Sequence, residues 1–173
     1  MGLCVNWRTD DRRDVRLVSL NIHRQHLDAA KMAVFLETVR PDVVALQGWT
    51  DTHHDTLFAG GGWHVLRTGE LLIASRFPVK QVEVLDLKVD GGVTHGEQGA
   101  AALYDVEMPR GMLHLVNLHL ASPHAGLETM WTDRGDRIAG NIERRREESA
   151  KVRTLTERAR GPLVLAGDFN TPT

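Results

Sequence analysis

The 173 residues are 42% hydrophobic and 25% charged, enough for one globular domain with a buried core. With 21 basic against 23 acidic residues the formal net charge is −2, which excludes an overall positive field of the kind that gathers duplex DNA. One cysteine, Cys4, excludes a disulfide within the chain, residues 1–14 lack the apolar run of a signal peptide, and no stretch approaches the roughly 18 apolar residues of a membrane span. A soluble, cytoplasmic chain is expected.

In chain order, residues 15–22 alternate as a strand does, which puts Asn21 and His23 at its C-terminal tip. Residues 27–39 carry apolar positions at helical spacing, and Arg40-Pro41 stops the helix. The apolar run of residues 42–47 predicts a buried strand ending at Gln47. Gly60-Gly61-Gly62 separates a short helical segment from five strands at 63–67, 71–75, 81–87, 99–107 and 112–120. Five strands in succession predict a meander, with a hairpin turn at Met108-Pro109-Arg110-Gly111. A long loop over 121–135 precedes a charged helix over 137–160 that Gly161-Pro162 ends. The last strand, 163–166, places Gly167-Asp168-Phe169-Asn170 at its tip.

Asn21, Gln47, His119, Asp168 and Asn170 therefore each sit at or just past the C-terminal end of an apolar strand. Taken singly, such residues make turns. Five in order along one chain point to a shared site, since strand ends are where packed sheets present chemistry.

Val18-Ser19-Leu20-Asn21, Pro41 through Gln47, Ser75-Arg76-Phe77-Pro78, Val116-Asn117-Leu118-His119-Leu120 and Leu165 through Pro172 resemble the successive motifs of the endonuclease/exonuclease/phosphatase superfamily. The resemblance runs from about Val15 to the last residue, and Gly167-Asp168-Phe169-Asn170 is its most specific part. It implies an α/β, two-sheet sandwich flanked by helices, with a Mg²⁺ or Mn²⁺ site and a metal-dependent phosphoester hydrolase activity. Phosphoester hydrolysis needs a hard cation against the non-bridging oxygens, a carboxylate to orient water, and donors to the phosphate. In family terms Asp168 orients water, His119 and Asn170 are donors to developing charge, and Asn21 contacts metal or phosphate. The metal ligands would be Asn21, Gln47 and Asp168; Arg76, His124 and His23 are candidate substrate contacts.

Two departures qualify the resemblance. The family pattern Gln-Glu, whose carboxylate is the principal metal ligand, reads Gln47-Gly48 here, with Asp51 and Asp55 the nearest substitutes. The family also continues past Gly-Asp-Phe-Asn to an Asp-His pair, so residues 15–173 are expected to be a C-terminally incomplete domain behind a 1–14 extension. Weak or lost activity and association into a homo-oligomer through open strand edges are the expected consequences. A non-catalytic phosphate-binding module or a self-associating fragment is the alternative. Nucleic acid, a lipid head group and a sugar phosphate all remain as substrates. His53-His54, adjacent on a helix, point apart, which favours a solvated helix over a metal pair. His26 lies near the first strand tip, and Trp131 sits in the 121–135 loop. The run Glu143-Arg144-Arg145-Arg146-Glu147-Glu148 reads as a solvated helix face with internal ion pairs.

Overall fold

A computed structural model describes residues 15–22, 27–50, 55–87, 100–122 and 136–171. Among these residues eight strands form two four-stranded sheets. The first holds β1 (Leu17–Asn21), β2 (Val43–Gln47), β3 (His64–Thr68) and β4 (Leu71–Ser75), in the order β1-β2-β4-β3. The second holds β5 (Val79–Asp86), β6 (Ala100–Met108), β7 (Gly111–His119) and β8 (Leu163–Asp168), in chain order.

Helix α1 (Ala29–Val39) begins where the Asp28 carboxylate accepts from the Lys31 amide at 3.0 Å, and ends at Arg40 in a left-handed conformation before Pro41. It buries Met32 and Leu36 against Val44, Leu46, Leu72 and Ala74 on the outer face of the first sheet. Helix α2 (Asp136–Thr156) buries Val152 and Leu155 against Ala101, Leu103, Val116 and Leu118 on the outer face of the second. Between the sheets lie Val43, Ala45, Leu71, Ile73, Ala102, Tyr104, Val106, Leu113 and Leu115. The layers are thus helix, sheet, sheet, helix. Because β2 and β4 are covered on both faces, each is buried throughout and apolar up to its last residue, Gln47 and Ser75, with each buried Val, Leu or Ile contributing about 2 kcal/mol.

Each sheet contains one parallel pair bridged by a helix, β1-α1-β2 in the first and β7-α2-β8 in the second. The other pairs are antiparallel. The five strands between the glycines and the long loop do not form one meander: β3 and β4 belong to the first sheet, and Arg76-Phe77-Pro78 carries the chain across to β5 in the second. The physical reason is Pro78, which cannot extend a ladder, together with Phe77 packing into the layer between the sheets. Among the described residues no helix is long and apolar enough to cross a membrane.

Candidate active site

The side chains of a strand alternate between faces, so residues two apart share one. On the inner face, Leu17, Ser19 and Asn21 run along β1, Val43, Ala45 and Gln47 along β2, Leu113, Leu115, Asn117 and His119 along β7, and Val164, Ala166 and Asp168 along β8. In each strand the series turns from apolar to polar toward the C-terminal end. Register pairs Asn21 with Gln47 and His119 with Asp168. The polar ends of both parallel pairs therefore meet at one end of the layer between the sheets, the position where α/β sheets present ligands.

There, the Asn21 amide Nδ2 donates to Asp168 Oδ2 at 2.7 Å and lies 3.4 Å from His119 Nε2. His119 Nε2 is 4.0 Å from the same carboxylate oxygen. Asp168 Oδ1 accepts from the Asn170 backbone N–H at 2.8 Å, and Asn170 Nδ2 donates to the Leu120 carbonyl at 2.6 Å. Asn170 holds φ at +45°, a left-handed conformation that asparagine tolerates better than most residues. Asp168 keeps 30% of its side-chain surface exposed, whereas His119 is almost wholly buried. Asn21, His119, Asp168 and Asn170 thus gather in one place, with the carboxylate partly exposed.

One layer deeper, Gln47 and Asn117 are fully buried and tie the sheets together. Gln47 Nε2 lies within hydrogen-bond reach of Asn117 Oδ1 at 2.7 Å, the Ala45 carbonyl at 3.1 Å and Ser19 Oγ at 3.3 Å. Asn117 Nδ2, from the second sheet, reaches the Leu46 and Leu72 carbonyls of the first, both at 3.2 Å. Gln47 is thereby held beneath the cluster rather than at its mouth.

Arg76 is not brought to the cluster. Ser75 pairs with Val43 at the start of β2, roughly 13 Å along the strand from Gln47. The Arg76 guanidinium stacks 3.9 Å over the Trp63 ring and donates to the Gly62 carbonyl at 3.2 Å, a structural arrangement of cation–π and turn contacts. His23, His26, Asp51, His53, His54, His124 and Trp131 lie outside the described residues, as does the 1–14 extension. Asp55 opens a short 3-10 turn, Asp55–Phe58.

Three residues that the strand-tip argument passes over reach the site. Glu70 Oε1 lies 3.1 Å from His119 Nδ1. Glu70 immediately precedes β4, which runs antiparallel to β2, so the end of β4 nearest the cluster is its N-terminal end. The Glu70 carbonyl also accepts from the Trp49 N–H at 2.9 Å, holding this turn against the segment after β2. Arg145 and Glu148 arrive from α2: Arg145 donates to the carbonyls of Phe169, at 3.2 Å, and Asn170, and Glu148 Oε2 accepts from the Ala121 N–H at 3.0 Å. Burial pushes the Glu148 carboxyl above its usual range, with Ala121, Arg144, Arg145 and Lys151 pulling the other way. The charged run of α2 is therefore only partly a solvated face; Arg146 and Glu143 pair on its exposed side.

The sequence matches the model of the endonuclease/exonuclease/phosphatase family over residues 18–172. The chain belongs to this family. A comparison with curated protein sequences finds no match. Solved endonuclease/exonuclease/phosphatase folds resemble it closely in shape. The D. rerio TDP2 structure complexed with a single-strand DNA product has a TM-score of 0.64 at 17% identity, covering 92% of this chain and 62% of that one. The endonuclease/exonuclease/phosphatase of Beutenbergia cavernae has a TM-score of 0.61 at 22% identity, covering 92% and 48%. The human nocturnin catalytic domain with bound sulfate has a TM-score of 0.57 at 17% identity, covering 91% and 65%. The chain thus spans less than two thirds of the length of these structures, and at such identities they show the fold alone. Members of the family are hydrolases of phosphoester bonds and are generally dependent on a divalent metal.

Proposed function

We propose that the chain is a phosphoesterase of weak turnover in which Asp168 orients the attacking water. The observation that carries this reading is the Asp168 carboxylate, held from both sides by Asn21 and the Asn170 N–H and left exposed beside His119. A carboxylate so fixed accepts a proton from water as the oxygen–phosphorus bond forms and the ester bond to the leaving alcohol breaks. The Asn21 amide is a neighbouring donor for a phosphoryl oxygen; the His119 ring lies beside it, Nδ1 3.1 Å from a Glu70 carboxylate oxygen, and its Nε2 donates as well when the ring is protonated. Asn170 gives one hydrogen of its amide to Leu120 and keeps the other for substrate.

A divalent cation, Mg²⁺ or Mn²⁺, would be held by Asp168 and Asn21, with Gln47 buried behind them, and would supply positive charge against the non-bridging oxygens. The donor set fits such an ion sparsely. Among the described residues no group of three His, Cys, Asp or Glu side chains is gathered to hold one, and Gly48 contributes no ligand. Weak affinity follows. The substrate class is a phosphodiester, and the single-strand DNA product in the D. rerio TDP2 structure favours nucleic acid over a lipid head group or sugar phosphate. The second reading, a phosphate-binding module without turnover, is favoured by Gly48 alone.

Turnover of bis-p-nitrophenyl phosphate with added Mn²⁺ separates the two. Slow hydrolysis by the parent chain, lost by at least about 100-fold in Asp168→Asn, supports the enzyme; inorganic phosphate binding without any turnover supports the module. Gly48→Glu is expected to tighten Mn²⁺ binding while lowering stability by about 1–2 kcal/mol, because Gly48 holds φ at +70°.

Association through sheet edges belongs to the same proposal. Among the described residues β1 and β8 are edge strands, and Leu165 and Phe169 on and just past β8 are each 39% exposed. Light scattering at micromolar concentration should give a mass above 19.3 kDa; that monomer mass itself would refute association.

A further inference from the structure

We propose that Arg145 and Glu148, three residues apart on α2, are positioning residues that fix the two strand exits on which the site is built. The inference rests on the phosphoesterase reading for its functional meaning and on geometry for its substance. Arg145 holds the chain just after β8, through the carbonyls of Phe169 and Asn170. Glu148 holds the chain just after β7, through the Ala121 N–H. Those two exits are already joined to each other, Leu120 N–H to the Asp168 carbonyl at 2.9 Å and Asn170 Nδ2 to the Leu120 carbonyl at 2.6 Å. The result is a closed ring: helix, Arg145, Asn170, Leu120-Ala121, Glu148, helix.

Docking of α2 does not require this ring, since Val152 and Leu155 already anchor the helix on the second sheet. Burying a carboxylate is costly, and one oxygen of Glu148, Oε1, has no hydrogen-bond partner among the described residues. An apolar residue would pack at lower cost. What the carboxylate adds is a directed, charge-assisted bond to one particular amide, two residues beyond His119. Site groups must be held to within about 0.5 Å of working geometry by neighbours whose own positions are locked, and Arg145 and Glu148 do this for Asn170 and His119 together.

Amide hydrogen exchange followed by NMR tests the proposal without needing turnover. In Arg145→Met and Glu148→Leu, the Leu120 and Ala121 amides and the Asn170 side-chain amide should exchange at least about tenfold faster, while Leu103 and Leu115 in β6 and β7 keep their protection. Glu148→Gln, which retains the acceptor, should behave as the parent, as should Arg145→Lys in large part. Parent-like protection of the site amides in both disruptive variants overturns the proposal; equal acceleration of core and site reduces it to a general effect on stability and overturns it as well. Where the parent turns over, the disruptive variants should lower kcat with KM little changed. A parent with no turnover sinks the phosphoesterase reading alone, because the exchange result still decides whether these residues position the strand exits.

Discussion

Gly167→Ala is expected to lose cooperative folding, or to retain it at a cost of about 4 kcal/mol or more. Gly167 holds φ at +139°, a region other residues scarcely enter, and lies directly beside Leu118 in the parallel β7–β8 ladder. A Cβ built there falls 1.9 Å from the Leu118 carbonyl oxygen and 2.8 Å from its backbone carbon and nitrogen. No side chain can swing aside to relieve this, because every colliding atom is backbone. β8 would have to part from β7 over the pairs that set His119 against Asp168. Since a domain's whole stability is about 5–15 kcal/mol, one methyl group removes a large share of it. Urea unfolding of the two proteins measures the difference; an alanine variant within about 1 kcal/mol of the parent would show that the ladder accommodates the methyl group.

The second large effect is expected from Asn117→Leu, a change that keeps nearly the same volume and should cost about 3 kcal/mol. Asn117 is wholly buried and joins the sheets by accepting from Gln47 and donating toward two carbonyls of the other sheet. Leucine leaves the Gln47 amide and those carbonyls short of a partner, and buried polar groups left unpaired are penalised more than paired ones are rewarded. The paired substitution Gln47→Leu with Asn117→Leu should recover part of the loss, since it removes the amide on both sides. Thermal melts of the single and double variants decide it: a single substitution costing under about 0.5 kcal/mol means that this bridge is not what sets the spacing of the sheets.

Much of the cluster was legible because alternation along β1, β7 and β8 places every second residue on one face, and Asn21, His119 and Asp168 each end an apolar series. Helix α1 was legible in the helical spacing of residues 27–39 and in Arg40-Pro41 at its end, though not in the Asp28 cap that starts it. What escaped was set by relations between strands distant in sequence. Glu70 is invisible to a search of C-terminal strand tips, because only the antiparallel pairing of β4 with β2 brings a strand's beginning to the site. Arg76 is a candidate substrate contact by its place in the family-like motif Ser75-Arg76-Phe77-Pro78, but that same antiparallel pairing carries it to the far end of the sheet. Arg145 and Glu148 sit in a run of six charged residues whose default place is water, and nothing local distinguishes the two that turn inward from Glu143 and Arg146, which do not. The division of five successive strands between two sheets hinges on Phe77-Pro78, where one short turn serves equally for a hairpin or a crossing.

The contact between Asn21 and Asp168 joins residues 147 apart in the chain, so the cluster cannot exist until nearly everything between them has been made. At roughly 5–20 residues per second of synthesis, about 7–30 s separate the emergence of its two halves. During that interval β1, α1 and β2 can pair with β3 and β4, and β5 to β7 can form their meander from near neighbours. Adding β8 to β7 then closes the connection over residues 120–162, at an entropy cost of about 3 kcal/mol. The candidate cluster thus assembles later than the local pairings it sits on, and fraying of either β1 or β8 would undo it while β6 and β7 remained paired.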